Sequence, residues 1–193
     1  MVFRRARLYD ALALLTVFVV VALDQWTKSF VVEALSPPQS KPFMPLIGQY
    51  LGLYYVQNSG AAFSLLRDNA ILILFIVAAI AVVAYLYMRM LNSGSLAYKM
   101  IFGMIIGGAA GNLLDRVRHG GFVVDFISFR IPEIGYQFAI FNVADACISV
   151  SVFLLFVLLL FGGLPFSGDA AQQRSAAQKA SGTLRPTERD AQP

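Results

Sequence analysis

Two aspartates, Asp125 and Asp145, are the residues of this sequence whose type and surroundings best fit chemistry. Asp125 lies in the segment GGFVVDFISF, and Asp145, in FNVADACIS, opens a stretch that otherwise has the composition of a membrane helix. An ionisable side chain inside such a helix is costly and usually marks a functional site. Neither aspartate has a close basic neighbour in the sequence, so structural hydrogen bonding alone is the weaker interpretation. We therefore expect the two carboxyl groups to form an acid/base pair.

The composition indicates what kind of protein positions this pair. Of the 193 residues, 58% are apolar and 13% are charged, and the mean hydropathy is +0.68. About a quarter of the residues in a soluble domain are charged, so one large helical core in water is the weaker alternative. A membrane helix needs about 20 largely apolar residues. Four such stretches predict membrane spans over about residues 8–35, 70–88, 98–114 and 140–161.

The basic residues predict that both chain termini lie in the cytoplasm. Arg4, Arg5 and Arg7 precede the first apolar run, as in an export signal, but no small-residue cleavage site follows, so we expect a retained span. Loops on the cytoplasmic side are richer in lysine and arginine. That side also receives Arg89, Lys99 and the four basic residues of the C-terminal tail, against Lys41, Arg67, Arg116, Arg118 and Arg130 outside. The net charge of +4 thus reflects membrane topology, and nothing indicates nucleic-acid binding.

Two segments are predicted outside the membrane, between spans one and two and between spans three and four. Residues 36–69 form a long loop, and structureless loops of that length are uncommon in compact proteins. We expect a small β-cradle there that includes the strand-like run Tyr50–Gln57, followed by an interfacial helix around Phe63–Leu66 on the membrane surface. Residues 116–139 are predicted as the second outer loop, which carries Asp125.

The predicted fold class is therefore an all-α membrane protein with a small extracytoplasmic β-cradle. One domain over residues 1–166 holds the four spans. Residues 167–193, rich in Ala, Gln, Ser and Arg, are predicted as a disordered cytoplasmic tail.

Small and polar residues within the spans predict how these helices pack. Gly103, Gly107 and Gly111 recur every four residues, a spacing that lets a neighbouring helix approach closely. Asp24 and Lys28 are i,i+4, which favours a buried ion pair that locks the first span.

Further polar residues gather at one level of the predicted bundle. Asn112, Asp115 and Arg116 can share a face of span three, and Asn142 shares a face with Asp145 on span four. The topology brings these residues into the outer half of the membrane together with Asp24. A solvated pair of Asp115 with Arg116 at the end of span three stays open as an alternative.

Cysteine and histidine are too scarce for a metal or disulfide framework. The single cysteine, Cys147, allows no internal disulfide, and the single histidine, His119, has no partner at metal-ligand spacing. We therefore expect no metal and no cofactor.

Five segments in chain order carry a resemblance to a known family. They are DQWTK (24–28), NSGAAFS (58–64), GGAAGNLLDR (107–116), VVDFISF (123–129) and FNVADACI (141–148). On four predicted spans, these segments resemble the lipoprotein signal peptidases, or signal peptidase II, which are bacterial membrane aspartyl peptidases. The resemblance covers about residues 8–161 and shows no departure at the motif positions.

The resemblance implies a function and a place in the cell. The substrate would be a prolipoprotein whose cysteine carries a diacylglyceryl group, cut on the amino side of that cysteine to release the signal peptide. The enzyme would be a multi-pass protein of the bacterial cytoplasmic (inner) membrane, with its active site near the extracytoplasmic face. It would act as a monomer surrounded by membrane lipid, without a cofactor.

The resemblance also implies roles for individual residues. Asp125 and Asp145 match the catalytic dyad of the family. Positions that shape the site or contact the substrate are matched by Asn58, Gly60, Asn112, Arg116 and Asn142. The residues that hold the architecture are matched by Asp24, Lys28 and Asp115.

The residue types suit peptide hydrolysis without a metal or a nucleophilic serine. Two close carboxyl groups cannot both ionise cheaply, so they tend to share one proton. The ionised member can then accept a proton from an attacking water, while the protonated member hydrogen-bonds the carbonyl oxygen of the peptide.

Rival functions from other classes predict different patterns. A proton-coupled transporter would place polar residues along a path through both leaflets, and a non-catalytic assembly factor would tolerate Asp→Asn at one dyad position. A Ser–Lys peptidase is weaker, because the lysine within a predicted span, Lys28, pairs naturally with Asp24.

Overall fold

Four long helices and a small sheet make up the part of the chain that the structure, a computed structural model, describes: residues 2–60, 69–89 and 95–162. The chain divides into two compact units, residues 1–155 and 156–193. The first contains the sheet and nearly all of the helical residues, and the described part of the second is the end of the last helix. The helices are α1 (Val2–Leu35), α2 (Asn69–Arg89), α3 (Leu96–Arg118) and α4 (Val143–Gly162).

Among the described residues, three helices are long and apolar enough to cross a membrane. They are Ala6–Leu35, Leu96–Arg118 and Val143–Phe161, while α2 offers the shorter apolar stretch Ile73–Arg89. Large apolar side chains remain exposed along these helices, such as those of Phe18 and Phe153. In water such exposure would be unfavourable, but lipid is as apolar as these side chains.

Each predicted span coincides with a helix, although the ends differ. Helix α3 continues to Arg118, one turn beyond the predicted end, and α4 begins at Val143 rather than at residue 140. The predicted interfacial helix at Phe63–Leu66 and the predicted tail at residues 167–193 lie outside the described residues.

Glycines on one face of α3 bring this helix against α1, as the four-residue repeat predicts. A Cβ atom added to Gly103 would lie 2.8 Å from the carbonyl oxygen of Ala13. At Gly107 the added atom would lie 2.9 Å from Cβ of Val20, and at Gly111 it would lie 2.6 Å from Oδ2 of Asp24. Only hydrogen fits at these positions, so the glycines set the distance between the two helices.

Replacing Gly103 by alanine is expected to destabilise the protein. In an ordinary helix interior, Gly→Ala stabilises by about 0.5–1 kcal/mol. Here the added methyl group would press on backbone, which cannot move aside as a flexible side chain can, and overpacking costs about 1–3 kcal/mol. Thermal unfolding in detergent should show a lower Tm for Gly103→Ala than for the wild type. A raised Tm, the usual result of this substitution, would contradict the close α1–α3 contact.

Four antiparallel strands make up the sheet: β1 (Met44–Ile47), β2 (Leu51–Asn58), β3 (Val123–Ile131) and β4 (Tyr136–Gln137). They lie side by side in this order. The β-structure predicted between spans one and two is present as the pair β1–β2, and β2 agrees with the predicted run 50–57.

Strand β3 corrects the prediction that residues 116–139 form a loop. In this stretch the sequence VVDFISFRI is rich in β-branched and aromatic residues, which favour strands, and Asp125 lies within it. Strand β3 pairs with β2 through partners such as Val56 and Asp125. The two predicted outer segments therefore form one sheet.

The sheet packs on the end of α1 through a small apolar core. Val31 and Leu35 of α1 lie against Tyr55 of β2 and against Val124 and Phe126 of β3. This contact fixes the strand that carries Asp125 relative to the helix bundle.

A second polar cluster lies at the other end of the helices. Lys99 of α3 is fully buried and forms a salt bridge with Asp10 of α1. The hydroxyl group of Tyr87 on α2 donates a hydrogen bond to the same carboxylate, at 3.0 Å. Lys99, which the charge distribution assigns to the cytoplasmic side, therefore lies inside the bundle and is not a solvated loop cation.

Candidate active site

Asp125 and Asp145 approach each other because the chain before α4 runs beside β3. The backbone N–H of Ile127 donates to the carbonyl oxygen of Phe141 at 2.7 Å, and the N–H of Phe141 donates back at 3.2 Å. Asn142 follows at once, next to the strand that carries Asp125. Asp145 is the third residue of α4.

Asn142 connects the two carboxylates. Its side-chain Nδ2 donates a hydrogen bond to Oδ1 of Asp125, at 2.7 Å. Its Oδ1 accepts the backbone N–H of Asp145 at 2.9 Å, and its own N–H donates to Oδ2 of Asp145 at 3.3 Å. This reciprocal exchange has the geometry of a helix capping box. The fully buried residue Asn142 therefore caps α4 and bonds both carboxylates, that of Asp125 through its side-chain amide and that of Asp145 through its backbone N–H.

A second amide reaches each carboxylate from another element. Asn58 on β2 donates from Nδ2 to Oδ2 of Asp125 at 2.8 Å, because it is a diagonal neighbour of Asp125 across the β2–β3 pair. Asn112 on α3 donates from Nδ2 to Oδ1 of Asp145 at 2.7 Å. Each carboxylate thus accepts hydrogen bonds from two asparagines.

Gly60 fixes the orientation of the Asn58 amide. The N–H of Gly60 donates to Oδ1 of Asn58 at 2.8 Å, which turns Nδ2 of Asn58 towards Asp125. Gly60 has φ +76°, a conformation that glycine adopts without the steric penalty of a side chain. The structure therefore brings Asn58, Gly60, Asn112 and Asn142 to the two aspartates.

Next to these asparagines, Lys28 forms salt bridges with two further carboxylates. Its Nζ lies 2.7 Å from Oδ2 of Asp24 and 3.0 Å from Oδ2 of Asp115. It also donates to Oδ1 of Asn112 at 3.0 Å. The predicted Asp24–Lys28 ion pair is confirmed. A solvated pair of Asp115 with Arg116 is wrong, because Asp115 is only 1% exposed and its cationic partner is Lys28.

Gln25 contacts the same two carboxylates as Lys28, although its role was not predicted from the sequence. Its Nε2 donates to Oδ1 of Asp115 at 2.9 Å and to Oδ2 of Asp24 at 3.2 Å. Its Oε1 accepts a hydrogen bond from Arg118 at 2.8 Å. Its place in the DQWTK segment, beside Asp24, is the pattern that could have identified it.

Arg116 contributes a positive charge beside the two aspartates. The side chain is half-buried, and its NH1 makes a long contact of 3.5 Å with the carbonyl oxygen of Asn112. Its Nε is buried and has no hydrogen-bond partner within the described residues. Its charge interacts with those of Asp125 and Asp145, so it offsets part of their mutual repulsion.

The environment of Asp125 favours its protonated form. Burial raises the pKa of Asp125 from its ordinary 3.8 to about 6, and the negative charge of Asp145 adds to this increase. The hydrogen bonds from Asn58 and Asn142 and the positive charge of Lys28 act in the opposite direction. A carboxyl group with this pKa can retain a proton close to neutral pH, so the pair can hold one proton between two carboxylates.

Removing the Asn58 amide is expected to shift the pH dependence of any reaction that uses this proton. Asn58 stabilises ionised Asp125, so Asn58→Ala should raise the pKa of Asp125 and move the alkaline limb of kcat/KM to higher pH. Hydrogen bonds to charged groups are worth about 1.5–3 kcal/mol and water replaces part of this, so we expect a shift of up to about one pH unit.

A pH–rate profile of Asn58→Ala would measure this shift. The matched control is Gln57→Ala, because the Gln57 amide donates to the hydroxyl group of Tyr55 rather than to a carboxylate. If the alkaline limb of kcat/KM did not move in Asn58→Ala, the Asn58 amide would not contribute to the pKa of Asp125.

Comparison with known proteins points to one family. A family model for signal peptidase (SPase) II matches residues 16–161, which include every site residue described above. A lipoprotein signal peptidase of Caldanaerobacter subterraneus is 40% identical over 152 residues, which are 79% of this chain and 98% of the relative. The corresponding protein of Halothermothrix orenii is 38% identical and covers 75% of this chain and 92% of its own.

A solved structure has the same fold. It is a bacterial membrane enzyme that is 27% identical to this chain and superposes with a TM-score of 0.68. The match covers 78% of this chain and 94% of the solved one.

Proposed function

Because the chain belongs to the signal peptidase II family, we propose that Asp125 and Asp145 are the catalytic dyad with which it cleaves prolipoproteins. Family membership makes the protein a membrane peptidase that removes signal peptides from prolipoproteins. The proposal adds the residues, the cleavage site and the mechanism. The observation that carries it is the buried residue Asn142, whose side-chain amide donates to the carboxylate of Asp125 and whose backbone N–H donates to that of Asp145.

The proposed substrate carries a diacylglyceryl group on the cysteine that follows the signal peptide. The enzyme cuts on the amino side of this cysteine, so the signal peptide leaves with a new carboxyl group and the lipoprotein with a new amino group. The polar site lies where α3 ends, α4 begins and the sheet starts. This position supports a site at the membrane surface, where water and a lipid-anchored peptide can both arrive.

The reaction needs one ionised and one protonated carboxyl group. The ionised member takes a proton from water as the water oxygen attacks the scissile carbonyl carbon, and the protonated member donates its proton to the carbonyl oxygen. The tetrahedral intermediate then collapses with breakage of the C–N bond, and a proton passes to the leaving amine. Protons on coupled carboxyl groups belong to the pair, so neither aspartate is assigned a fixed role.

The asparagines and Arg116 support this reaction in different ways. Asn58, Asn112 and Asn142 bond the carboxylates without adding charge, so they orient the dyad and leave its proton count unchanged. The positive charge of Arg116, which interacts with both aspartates, can stabilise the negative oxygen of the intermediate.

Mass analysis of the products tests the proposed cleavage site. The purified protein is incubated with a diacylglyceryl-modified prolipoprotein, and both fragments are identified. We expect a lipoprotein whose first residue is the lipidated cysteine, together with an intact signal peptide. A cut at another peptide bond would leave peptidase activity intact and overturn the assigned position.

The proposed topology has four spans, with both termini in the cytoplasm and the dyad near the extracytoplasmic face. Reporter fusions after Met90 and after Ser167 should read cytoplasmic, and fusions near Lys41 and Gly120 should read extracytoplasmic. These positions lie on both sides of spans two, three and four, so the four results together test those three crossings. A cytoplasmic result at Gly120 would put the site on the wrong side for exported lipoproteins.

A further inference from the structure

Lys28 is a buried charge whose contacts extend to both halves of the site. Its side chain is 3% exposed, and its ammonium group lies within 3.0 Å of oxygens on Asp24, Asp115 and Asn112. A buried lysine in a membrane helix is tolerated only when it is paired. Asp24 alone, one turn away on the same helix, would supply such a pair. The additional contacts therefore call for another explanation.

Asp24 and Asp115 each hold the backbone immediately before a dyad residue. Oδ1 of Asp24 accepts the N–H of Ala144, which precedes Asp145, at 3.0 Å. Oδ2 of Asp115 accepts the N–H of Val124, which precedes Asp125, at 3.0 Å. Lys28 forms salt bridges with both carboxylates. Its ammonium group therefore connects Asp24, which holds the start of α4, to Asp115, which holds the start of β3. The distance between the two dyad residues depends on this connection.

Lys28 also determines which way the Asn112 amide points. The oxygen of this amide accepts from Lys28 at 3.0 Å and from Asn142 at 3.1 Å. Its NH₂ group therefore faces Asp145, to which it donates at 2.7 Å. A flipped amide would put NH₂ against an ammonium group and an oxygen against a carboxylate, and both contacts would be repulsive.

We propose that Lys28 is a positioning residue of the dyad: acting through Asp24, Asp115 and Asn112, it sets the separation of the two aspartates and the orientation of the amide that bonds Asp145. The inference rests on the proposed function. It gives Lys28 a role in the rate of the chemical step, whereas a buried ion pair that only holds α1 in place would affect stability alone.

The electrostatic consequence follows from the charges around Asp125. These are Asp145 on α4, Lys28 and Asp24 on α1, and Arg116 and Asp115 on α3. Burial is the main cause that raises the pKa of Asp125, and the charge of Lys28 lowers it. Loss of Lys28 should therefore raise that pKa, in the same direction as loss of the Asn58 amide.

Two variants at Lys28, a single and a charge-balanced double substitution, separate the proposed role from a loss of folding. Lys28→Met removes the ammonium group but leaves Asp24 and Asp115 without their cation. The double variant Asp24→Asn/Lys28→Met removes one charge of each sign, so the cluster keeps its net charge, and the amide oxygen of the new asparagine can still accept the Ala144 N–H. The matched control is Asp10→Asn/Lys99→Met, which removes a second lysine–aspartate pair, with buried Lys99 and partly exposed Asp10, at the far end of the same helices.

Steady-state kinetics and thermal unfolding are measured on each variant in the same detergent. Misplacement of catalytic groups by about 1 Å can cost on the order of 100-fold in rate. We therefore expect kcat of the folded Lys28 double variant to fall at least about tenfold, KM to stay within about twofold, and the alkaline limb to move to higher pH. The control Asp10→Asn/Lys99→Met should lose stability but keep the kcat and the alkaline limb of the wild type.

Carbon-13 NMR titration of the aspartate carboxyl groups adds a readout that needs no peptidase activity. It should show a raised pKa for Asp125 in the Lys28 double variant and an unchanged pKa in the Lys99 control. A folded Lys28 double variant with wild-type kcat and an unmoved Asp125 titration would overturn the positioning role. A wild-type protein that titrates as described but cleaves no prolipoprotein would instead refute the proposed function.

Discussion

Asparagine in place of either dyad residue, Asp125→Asn or Asp145→Asn, is expected to abolish cleavage of a prolipoprotein. Asparagine has nearly the shape of aspartate but cannot accept the proton of water or donate one to the carbonyl oxygen. General acid and base groups contribute about 10²–10⁴-fold each, and residues that act as a unit fail together. We therefore expect each single variant to lose at least about 10³-fold in kcat, measured by a gel shift of the precursor.

The contacts of the two carboxylates make a folding check necessary in this experiment. Both oxygens of Asp125 accept hydrogen bonds, from Asn58 and Asn142. An asparagine would turn its own NH₂ group towards one of these donors and lose a hydrogen bond to a carboxylate, worth about 1.5–3 kcal/mol. The control Glu133→Gln neutralises a carboxylate outside the site, one that accepts from Tyr50 and Gln49, and it should cleave normally. Near wild-type turnover in either dyad variant would remove that aspartate from the mechanism.

Removal of the diacylglyceryl group from the proposed substrate is expected to slow its cleavage strongly. Each buried CH₂ group of an acyl chain contributes about 0.8 kcal/mol to membrane binding, so two chains hold the cysteine at the membrane surface. The dyad lies where α3 ends and the sheet begins, and the adjacent peptide bond would be presented there. Correct placement of reacting groups can supply about 7–11 kcal/mol of barrier lowering, and an unmodified precursor would lose part of this.

Parallel digestion of one precursor, with and without its diacylglyceryl group, measures this dependence. Both reactions should be run in the same vesicles, so that the precursor sequence and the membrane are held constant. We expect the unmodified form to be cut at least about 100-fold more slowly, on the scale of the rate lost when reacting groups are misplaced by about 1 Å. Equal rates would show that the lipid is not recognised, and would favour a general protease for membrane-inserted signal peptides.

Local spacing was enough to predict the parts of this molecule that lie on one helix. The Asp24–Lys28 pair is i,i+4, and the glycines of α3 recur on one helix face, so sequence distance translates directly into spatial distance. The four helices follow in the same way from apolar runs. Their exact ends do not, because the end of a helix depends on hydrogen bonds such as the capping exchange between Asn142 and Asp145.

The contacts that build the site between elements could not be predicted from local spacing. Asp125 lies on a strand because β3 pairs with β2 from a different outer segment, and no local pattern specifies that partner. The same holds for Lys28 and Asp115, whose side chains meet although they are far apart in the sequence. The burial of Lys99 was missed for a related reason, since its partner Asp10 lies on another helix.

The two lysine–aspartate pairs, each with a buried lysine, also imply an order in which the molecule assembles in the membrane. Lys28 and Asp24 lie on one helix, so α1 carries its own counter-charge and can enter the bilayer before the rest of the chain has been synthesised. Lys99 and Asp10 lie on α3 and α1, so this pair can form only after the third helix has arrived. Until then each charge must stay near the aqueous boundary or be neutralised, because an isolated charge in hydrocarbon is costly. Docking of α3 therefore forms the Lys99–Asp10 pair and brings Asp115 to Lys28. The site itself is complete only when the start of α4 adds Asn142 and Asp145.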